Sequence, residues 1–291
     1  MLIAQITDIH LGFDPDDPAE FNRRRLDQVL HRLCDMDPKP DLLLATGDIT
    51  DKGDSDSYRR LKSAFGRCPF PVFPAMGNHD DRENFARLFP ETPRMEGGFV
   101  QYVIDEEHWP IRVIVLDTLD PGRHGGAFCE TRATWLRERL AEEIEKPTMI
   151  VLHHPPIETG IAWMTAQREA PWIQRLREAL EGAPNILGMV AGHIHRPILT
   201  SWAGHSLAVT PSTAPQVALD LRPIDPKKPD NRPMIVADPP AYSLHFWNGG
   251  TLVSHYDDAE EHVQLARYDE TMQPLVRYLL DEHSRDRGDK A

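Results

Sequence analysis

Five short clusters in this 291-residue chain bring together residue types that bind metal ions: Asp8-Ile9-His10, Gly47-Asp48-Ile49-Thr50-Asp51, Gly77-Asn78-His79-Asp80, His153-His154-Pro155-Pro156 and Gly192-His193-Ile194-His195. Asp8, Asp48 and Asn78 offer oxygen, and His10, His153, His193 and His195 offer imidazole nitrogen. A mixed set of this kind suits Zn, Mn, Fe or Co, whereas Ca and Mg prefer oxygen alone. Seven ligands are too many for one tetrahedral ion. They match two ions that share a carboxylate and keep positions open for water and substrate, the arrangement of metal-assisted hydrolysis. The glycines before Asp48, Asn78 and His193 suit tight turns that let the backbone approach the ions closely. Each cluster alone is a weak signal, since an Asp-x-His is usually a surface or capping pair and a His-His more often packs or hydrogen-bonds. Their combined force comes from where they sit.

Each cluster follows a short apolar run: residues 2–7, Leu42 to Thr46, Val72 to Met76, Thr148 to Leu152 and Ile186 to Val190. Runs of this length read as strands buried on both faces. Between them lie apolar residues at helical spacing: Leu26, Val29, Leu30 and Leu33; Tyr58, Leu61 and Phe65; Trp135, Leu136 and Leu140; Ile173, Leu176 and Leu180. Alternating strand and helix indicates an α/β fold, and loops beyond the carboxyl ends of such strands converge on one crevice. The alternation Ile111, Val113, Val115 reads as a strand with one polar face, part of a second sheet, and Asn248-Gly249-Gly250 reads as a hairpin turn.

The composition is that of a globular protein, 40% hydrophobic and 27% charged. A formal net charge of −14 disfavours binding to duplex nucleic acid, which needs many Lys and Arg contacts to phosphate. Cys34, Cys68 and Cys129 lack CxxC spacing and read as packed free thiols. No secretory signal or membrane-spanning run is present, so the expected location is cytoplasmic, with no membrane partner. The expected organisation is a catalytic core over 1–221, a proline-rich arm or loop over 222–240, C-terminal strands and a helix completing the fold over 241–283, and a charged tail over 284–291.

The order of the motifs from Asp8 to His195 resembles the calcineurin-like metallophosphoesterase family, within it the bacterial branch of class III cyclic-nucleotide phosphodiesterases and glycerophosphodiesterases. The resemblance implies a four-layer α/β/β/α sandwich of two mixed sheets flanked by helices. It implies one metal held by Asp8, His10, Asp48 and His195 and another by Asp48, Asn78, His153 and His193, with Asp48 the bridge. His153 is the expected ligand of its pair because relatives use the first histidine, the one followed by x-Pro; His154 then either supports the site near the substrate or is polar packing. His79 is assigned to the phosphate and the leaving group, with Asp80 orienting its ring and Asn78 helping to position phosphate oxygens. An imidazolium there can protonate or neutralise a departing alkoxide near neutral pH. Asp51 and Thr50 are expected to support the metal ligands.

The implied activity is hydrolysis of small phosphodiesters, cyclic nucleotides or a broader range, by hydroxide formed at two divalent or trivalent ions (Mn, Fe, Zn or Co) and attacking phosphorus. Two alternatives stay open: a phosphomonoesterase or phosphoprotein phosphatase, and a non-catalytic scaffold of the same fold. Relatives also imply a homodimer or larger assembly. The segment from Thr210 to Val217 looks like a border of the substrate pocket, with Pro215 where relatives commonly have His, a departure that counts against a glycerophosphodiesterase. Gly160 to Met164 could form an apolar or stacking wall, with Trp163 and Met164 reading equally as core or subunit-contact residues, and Arg123 with His124 could form part of the pocket rim.

Overall fold

The computed structural model describes residues 1–286. In chain order its first strands are β1 (Leu2–Ile6), β2 (Leu42–Thr46), β3 (Val72–Ala75), β4 (Tyr102–Ile104), β5 (Arg112–Val115), β6 (Thr148–Val151) and β7 (Ile186–Ala191). There follow β8 (Ile198–Trp202), β9 (His205–Val209), β10 (Gln216–Val217), β11 (Ile235–Val236), β12 (Ala241–Trp247) and β13 (Leu252–Asp258). The helices are α1 (Phe21–Cys34), α2 (Ser55–Phe65), α3 (Arg82–Leu88), α4 (Glu130–Glu142), α5 (Pro171–Leu180) and α6 (Gln273–Asp286). One sheet has the order β13-β12-β1-β2-β3 and the other β4-β5-β6-β7-β9-β8. Each is parallel at its centre, with antiparallel strands added at one edge of the first and both edges of the second.

The two-residue side-chain period explains why the central strands are apolar throughout. Along β5 and β6, Val113, Val115, Met149 and Val151 join the larger core, which the first sheet, α1 and α2 also fill. Ile114, Ile150 and Leu152 join a second core with Leu136 and Leu140 of α4 and Ile173, Leu176 and Leu180 of α5. Helices therefore cover the outer faces and the two sheets pack on each other, the expected α/β/β/α sandwich. The polar face expected for β5 is absent: Arg112 is 2% exposed, donating from Nε to Thr148 Oγ1 (3.0 Å) and from a terminal nitrogen to Arg139 O (2.6 Å). Fixed donors of this kind let a guanidinium occupy a position that reads as solvent-facing.

A buried polar network joins the sheets just beneath the loops that carry the motifs. Gln5 of β1 donates from Nε2 to Thr46 Oγ1 (2.8 Å) and to Ala191 O of the other sheet (3.1 Å). Its Oε1 accepts from Thr210 Oγ1 (2.7 Å) and pairs with His245 Nε2 (2.9 Å), whose Nδ1 pairs with Ser254 Oγ (2.8 Å). A fully satisfied network like this fixes the register of one sheet on the other.

The proline-rich stretch is regular only where β11 pairs antiparallel with β10. The β12–β13 hairpin turns at Asn248, whose Oδ1 accepts from Gly250 N (3.0 Å) and Thr251 N (2.8 Å), with Gly249 at φ +97°. The chain divides into compact units at Ala259, so β12 and β13 belong with the sandwich and α6 falls in the second unit, 260–291. Of the expected tail, Ser284 to Asp286 continue α6, and 287–291 lie outside the described residues. Among the described residues no helix is long and apolar enough to cross a membrane, and all three cysteines are free and partly buried.

Candidate metal centre

The motifs sit where β1, β2, β3, β6 and β7 end, and their backbones turn in a shared way. Asp8, His10, Asp48, His193 and His195 have φ of 50°, 48°, 47°, 71° and 56°. Among the described non-glycine residues only Ala203 and Asn231 share the left-handed region. That conformation costs an L-residue roughly 1–2 kcal/mol, least for Asp and Asn. Its concentration on five expected ligands shows that the fold forces these side chains back over the strand ends.

Close approach accounts for the glycines. A Cβ at Gly77 would stand 2.2 Å from both the N and Oδ1 of Asp48, and one at Gly192 would stand 1.9 Å from Thr7 Oγ1. Neither has positive φ; each is small so that a neighbouring loop can lie against it. Only Gly47, at φ +92°, also needs a glycine conformation, and its Cβ would stand 2.5 Å from His153 Nδ1.

The ligand atoms form overlapping groups with spacings within 4.8 Å: Asp8, His10 and His195; His10, Asp48 and His79; Asp8, Asp48 and His153; His153, His154 and His193. His10 Nε2 lies 3.2 Å from His195 Nε2 and 3.7 Å from Asp48 Oδ2. His195 Nε2 lies 3.3 Å from Asp8 Oδ1, and His153 Nε2 lies 3.3 Å from Asp48 Oδ2. First-row ions bind at about 2.0–2.1 Å, which places neighbouring donors roughly 3.0–3.4 Å apart. The His10–His195, His195–Asp8 and His153–Asp48 distances have that spacing, and His10–Asp48 is slightly longer. Asp48 Oδ2 is within reach of both His10 and His153, and its Oδ1 accepts from His79 N (2.8 Å).

The ring orientations leave specific nitrogens uncommitted. His153 Nδ1 is 2.8 Å from Thr46 O, His195 Nδ1 is 2.8 Å from Pro215 O, and His79 Nδ1 is 2.8 Å from Asp51 O. A carbonyl oxygen only accepts, so each Nδ1 carries a proton and each Nε2 is the atom that can coordinate when the ring is neutral. His10 Nδ1 faces Asp51 Oδ1 at 3.3 Å with the same consequence. Asp8 Oδ1, Asn78 Oδ1, His153 Nε2 and His154 Nε2 are buried with no hydrogen-bond partner. Uncompensated groups of this kind cost about 1–3 kcal/mol each in a protein interior, so a cluster of them marks a place built for something else.

The electrostatics agree. Burial alone would raise the Asp48 carboxyl, yet His153, His10 and His79 hold it well below the usual range. Burial opposes charge on His153, but Asp48 and Asp8 outweigh it and push the imidazole up to about 9. His193 and His154, buried among other imidazoles, are held well below the ordinary histidine value. The carboxylates thus draw in positive charge while part of the imidazole set stays neutral and able to coordinate. The donor set fits transition ions.

Asp80 departs from its expected part. It does not orient His79, whose ring is held by Asp51 O. Asp80 accepts instead from Gly77 N (3.0 Å), Ile49 N (3.3 Å), Thr50 N (3.2 Å), Thr50 Oγ1 (3.0 Å) and Tyr58 OH (3.1 Å). It therefore ties the Asp48 loop to the Asn78 loop from below, and burial with the Asp48 charge pushes its carboxyl up to about 6. His154 Nδ1 meets Thr118 Oγ1 (2.8 Å), and its ring lies 4.6 Å from that of His193, beside the centre. Pro215 supplies its carbonyl to His195 whatever its side chain. Arg25, which the sequence did not single out, anchors this segment by donating to Thr213 O (2.7 Å), Ala214 O (3.2 Å) and Asp238 O (2.6 Å).

Met164 is buried and Trp163 packs on the second core, the core role that the sequence also allowed them, and neither lines the cleft beside the site. His124 does border the site, its ring 4.6 Å from that of His193. The aromatic surface nearby belongs to Trp172, partly buried against the second core and within reach of Gly126.

Comparison with known proteins places this geometry. Residues 1–197 match the calcineurin-like phosphoesterase family. The chain is 32% identical over 251 residues to a probable glycerophosphodiester phosphodiesterase of Arcobacter nitrofigilis, covering 85% of this chain and 89% of that one. It is 37% identical over 214 residues to a probable cyclic nucleotide phosphodiesterase of Rhodopseudomonas palustris, covering 70% and 73%. Among solved structures, a dimetal phosphatase from Danio rerio superposes with a TM-score of 0.64 at 15% identity, covering 90% of this chain and 98% of that one, a likeness of fold. The chain belongs to the calcineurin-like phosphoesterase family.

Proposed function

We propose that the chain is a metal-dependent phosphodiesterase with two ions, one held by Asp8, His10, Asp48 and His195 and the other by Asp48, Asn78, His153 and His193. One observation carries the reading: His10 Nε2 and His195 Nε2 stand 3.2 Å apart, each with its proton committed on the opposite nitrogen. Two ring nitrogens aimed at each other across that distance call for a cation, a proton or a metal ion, and Asp8 Oδ1 3.3 Å from one and Asp48 Oδ2 3.7 Å from the other complete a donor set suited to the metal. The ions, when bound, supply Lewis acidity at phosphorus and lower the pKa of water.

This chain's residues do the rest. Asp48 Oδ1 fixes the backbone of His79, and Asp51 O fixes its ring, leaving Nε2 to hold a phosphate oxygen or deliver a proton to the departing alkoxide. On this reading the Asn78 amide helps to position phosphate oxygens, and His154, beside the centre, supports the site near the substrate. The names of the two relatives support small diesters, cyclic nucleotides or glycerophosphodiesters, as substrates.

The test is a panel of cyclic nucleotides, glycerophosphodiesters and aryl diesters, each beside its matching monoester, with Mn, Zn, Co or Fe returned to metal-free protein. Diesters should turn over faster than monoesters. A reversed ratio would make the protein a monoesterase, and metal binding without turnover of any ester would make it a scaffold.

A further inference from the structure

A cleft of about 750 Å³ opens beside the metal centre, lined by the loop from Asp120 to Cys129 and by the start of α5. Two contacts join it to the site. His124 lines the cleft with its ring 4.6 Å from that of His193. Gly126 lies between the site and the cleft, where a Cβ would stand 3.0 Å from His154 Cβ and 3.2 Å from Trp172 Cζ2. The volume suits a small organic molecule.

The lining has a definite chemistry. Trp172 offers a flat, partly exposed ring, and Arg175 stands one turn further along the same helix. Arg123, Arg132 and Arg175 line the cleft with one carboxylate, Asp120, though Arg132 is only 4% exposed and pairs with Asp117 at 3.9 Å, outside the lining. Arg123 is 3.6 Å from Asp120 with its side chain 77% exposed, free to swing towards a ligand. Arg175 is held in place, donating to Phe128 O (2.6 Å) and pairing with Glu130 at 3.4 Å. In a protein with a net charge of −14, a lining richer in arginine than in carboxylate runs against the overall charge, with the exposed Arg123 the guanidinium most open to a ligand.

We propose that the cleft receives the alcohol moiety of the diester, and that its guanidinium lining selects uncharged or anionic moieties over cationic ones, with Trp172 favouring planar groups. This rests on the phosphodiesterase reading and adds to it which diesters are preferred and which residues set the preference. A trimethylammonium group placed here meets like charge, which disfavours glycerophosphocholine; a sugar, a polyol or a nucleobase meets hydrogen-bond donors and a stacking face.

The experiment compares glycerophosphocholine with glycerophosphoglycerol on the Mn-loaded full chain, following both by phosphorus NMR. Like charges a few ångströms apart near a protein surface make about a tenfold preference in kcat/KM for the uncharged ester the expected result. In Arg123→Glu the preference should shrink at least about threefold through a lower KM for the choline ester. Trp172→Leu should raise KM for the p-nitrophenyl ester of thymidine 5′-phosphate about fivefold. Metal content and melting temperature of each variant establish that the site is intact; Arg123, largely exposed, gives the substitution that does not depend on refolding. Equal rates on the two glycerol esters, or a preference unmoved by Arg123→Glu, overturns the inference while leaving the phosphodiesterase reading standing. No turnover of these esters or of bis(p-nitrophenyl) phosphate by metal-loaded protein defeats that reading, and the inference with it.

Discussion

Asp80 separates two accounts of the site, because orienting a catalytic imidazole and clamping two loops make opposite demands on a substitution. Its carboxylate accepts from three backbone N–H groups, those of Ile49, Thr50 and Gly77, and from the hydroxyls of Thr50 and Tyr58. Asp80→Ala strands the three amides in a buried place. Each unpaired buried donor costs about 1–3 kcal/mol, so three give roughly 3–9 kcal/mol, and water entering the cavity brings the loss towards the lower end of that range. At about 2–4 °C per kcal/mol for a chain of this size, the melting temperature should fall by about 10 °C.

Asp80→Asn keeps one acceptor oxygen but turns an NH2 group towards a backbone N–H, so it should lose roughly half as much. Because the clamped loops carry Asp48 and Asn78, both variants should also bind metal more weakly. Thermal unfolding of metal-free protein, followed by metal titration of whatever folds, measures both effects. If Asp80→Asn were as stable as the parent, bound metal equally well, and lost rate only with poor leaving groups, Asp80 would be acting through His79 and the clamp would be wrong.

Three further outcomes follow from the geometry. Gly77→Ala must move Asp48, whose N and Oδ1 stand 2.2 Å from the new Cβ, and a displacement on the order of 1 Å should cost about a hundredfold in rate together with metal affinity; a variant with parental activity contradicts the packing. His79→Ala should keep its metals and lose most rate on diesters with poor leaving groups; equal losses on p-nitrophenyl and alkyl esters would remove His79 as the proton donor. His245 is buried, and burial holds its imidazole down at about 3 against an ordinary 6.5. The unfolded chain therefore binds the extra proton between those values, so stability is lost as pH falls from 6.5 towards 3, about 2 kcal/mol by pH 5. Urea unfolding at pH 7 and 5 should show His245→Asn with a pH dependence smaller by that amount, and an unchanged dependence refutes the assignment.

What the sequence revealed was whatever repeats locally. Apolar runs ending in Asp, Asn or His mark strands, because burial on both faces leaves no other solution, and their shared polarity of direction brings Asp8, Asp48, Asn78, His153 and His193 to one end. Pairings across the fold left no local trace. Asp80 follows His79 directly, so adjacency suggests a partnership, but the two side chains leave the backbone in different directions and Asp80 drops beneath the loop. Arg112 looks like part of a strand's polar face until Thr148 Oγ1 and Arg139 O are seen to satisfy it. Trp172 and Arg175 lie one turn apart on a helix recognised only by its buried face. Their exposed neighbours became informative once Gly126 and His124 brought them beside His154 and His193.

A pair of transition ions in each chain can be counted. Metal-free chain dialysed against Mn or Zn and assayed by elemental analysis should hold two ions per chain, with hydrolysis of bis(p-nitrophenyl) phosphate appearing as they bind, and Asp48→Ala should lose both ions and activity. Parent protein that holds no ion, or an Asp48→Ala protein that keeps two ions and full activity, would contradict the two-ion site.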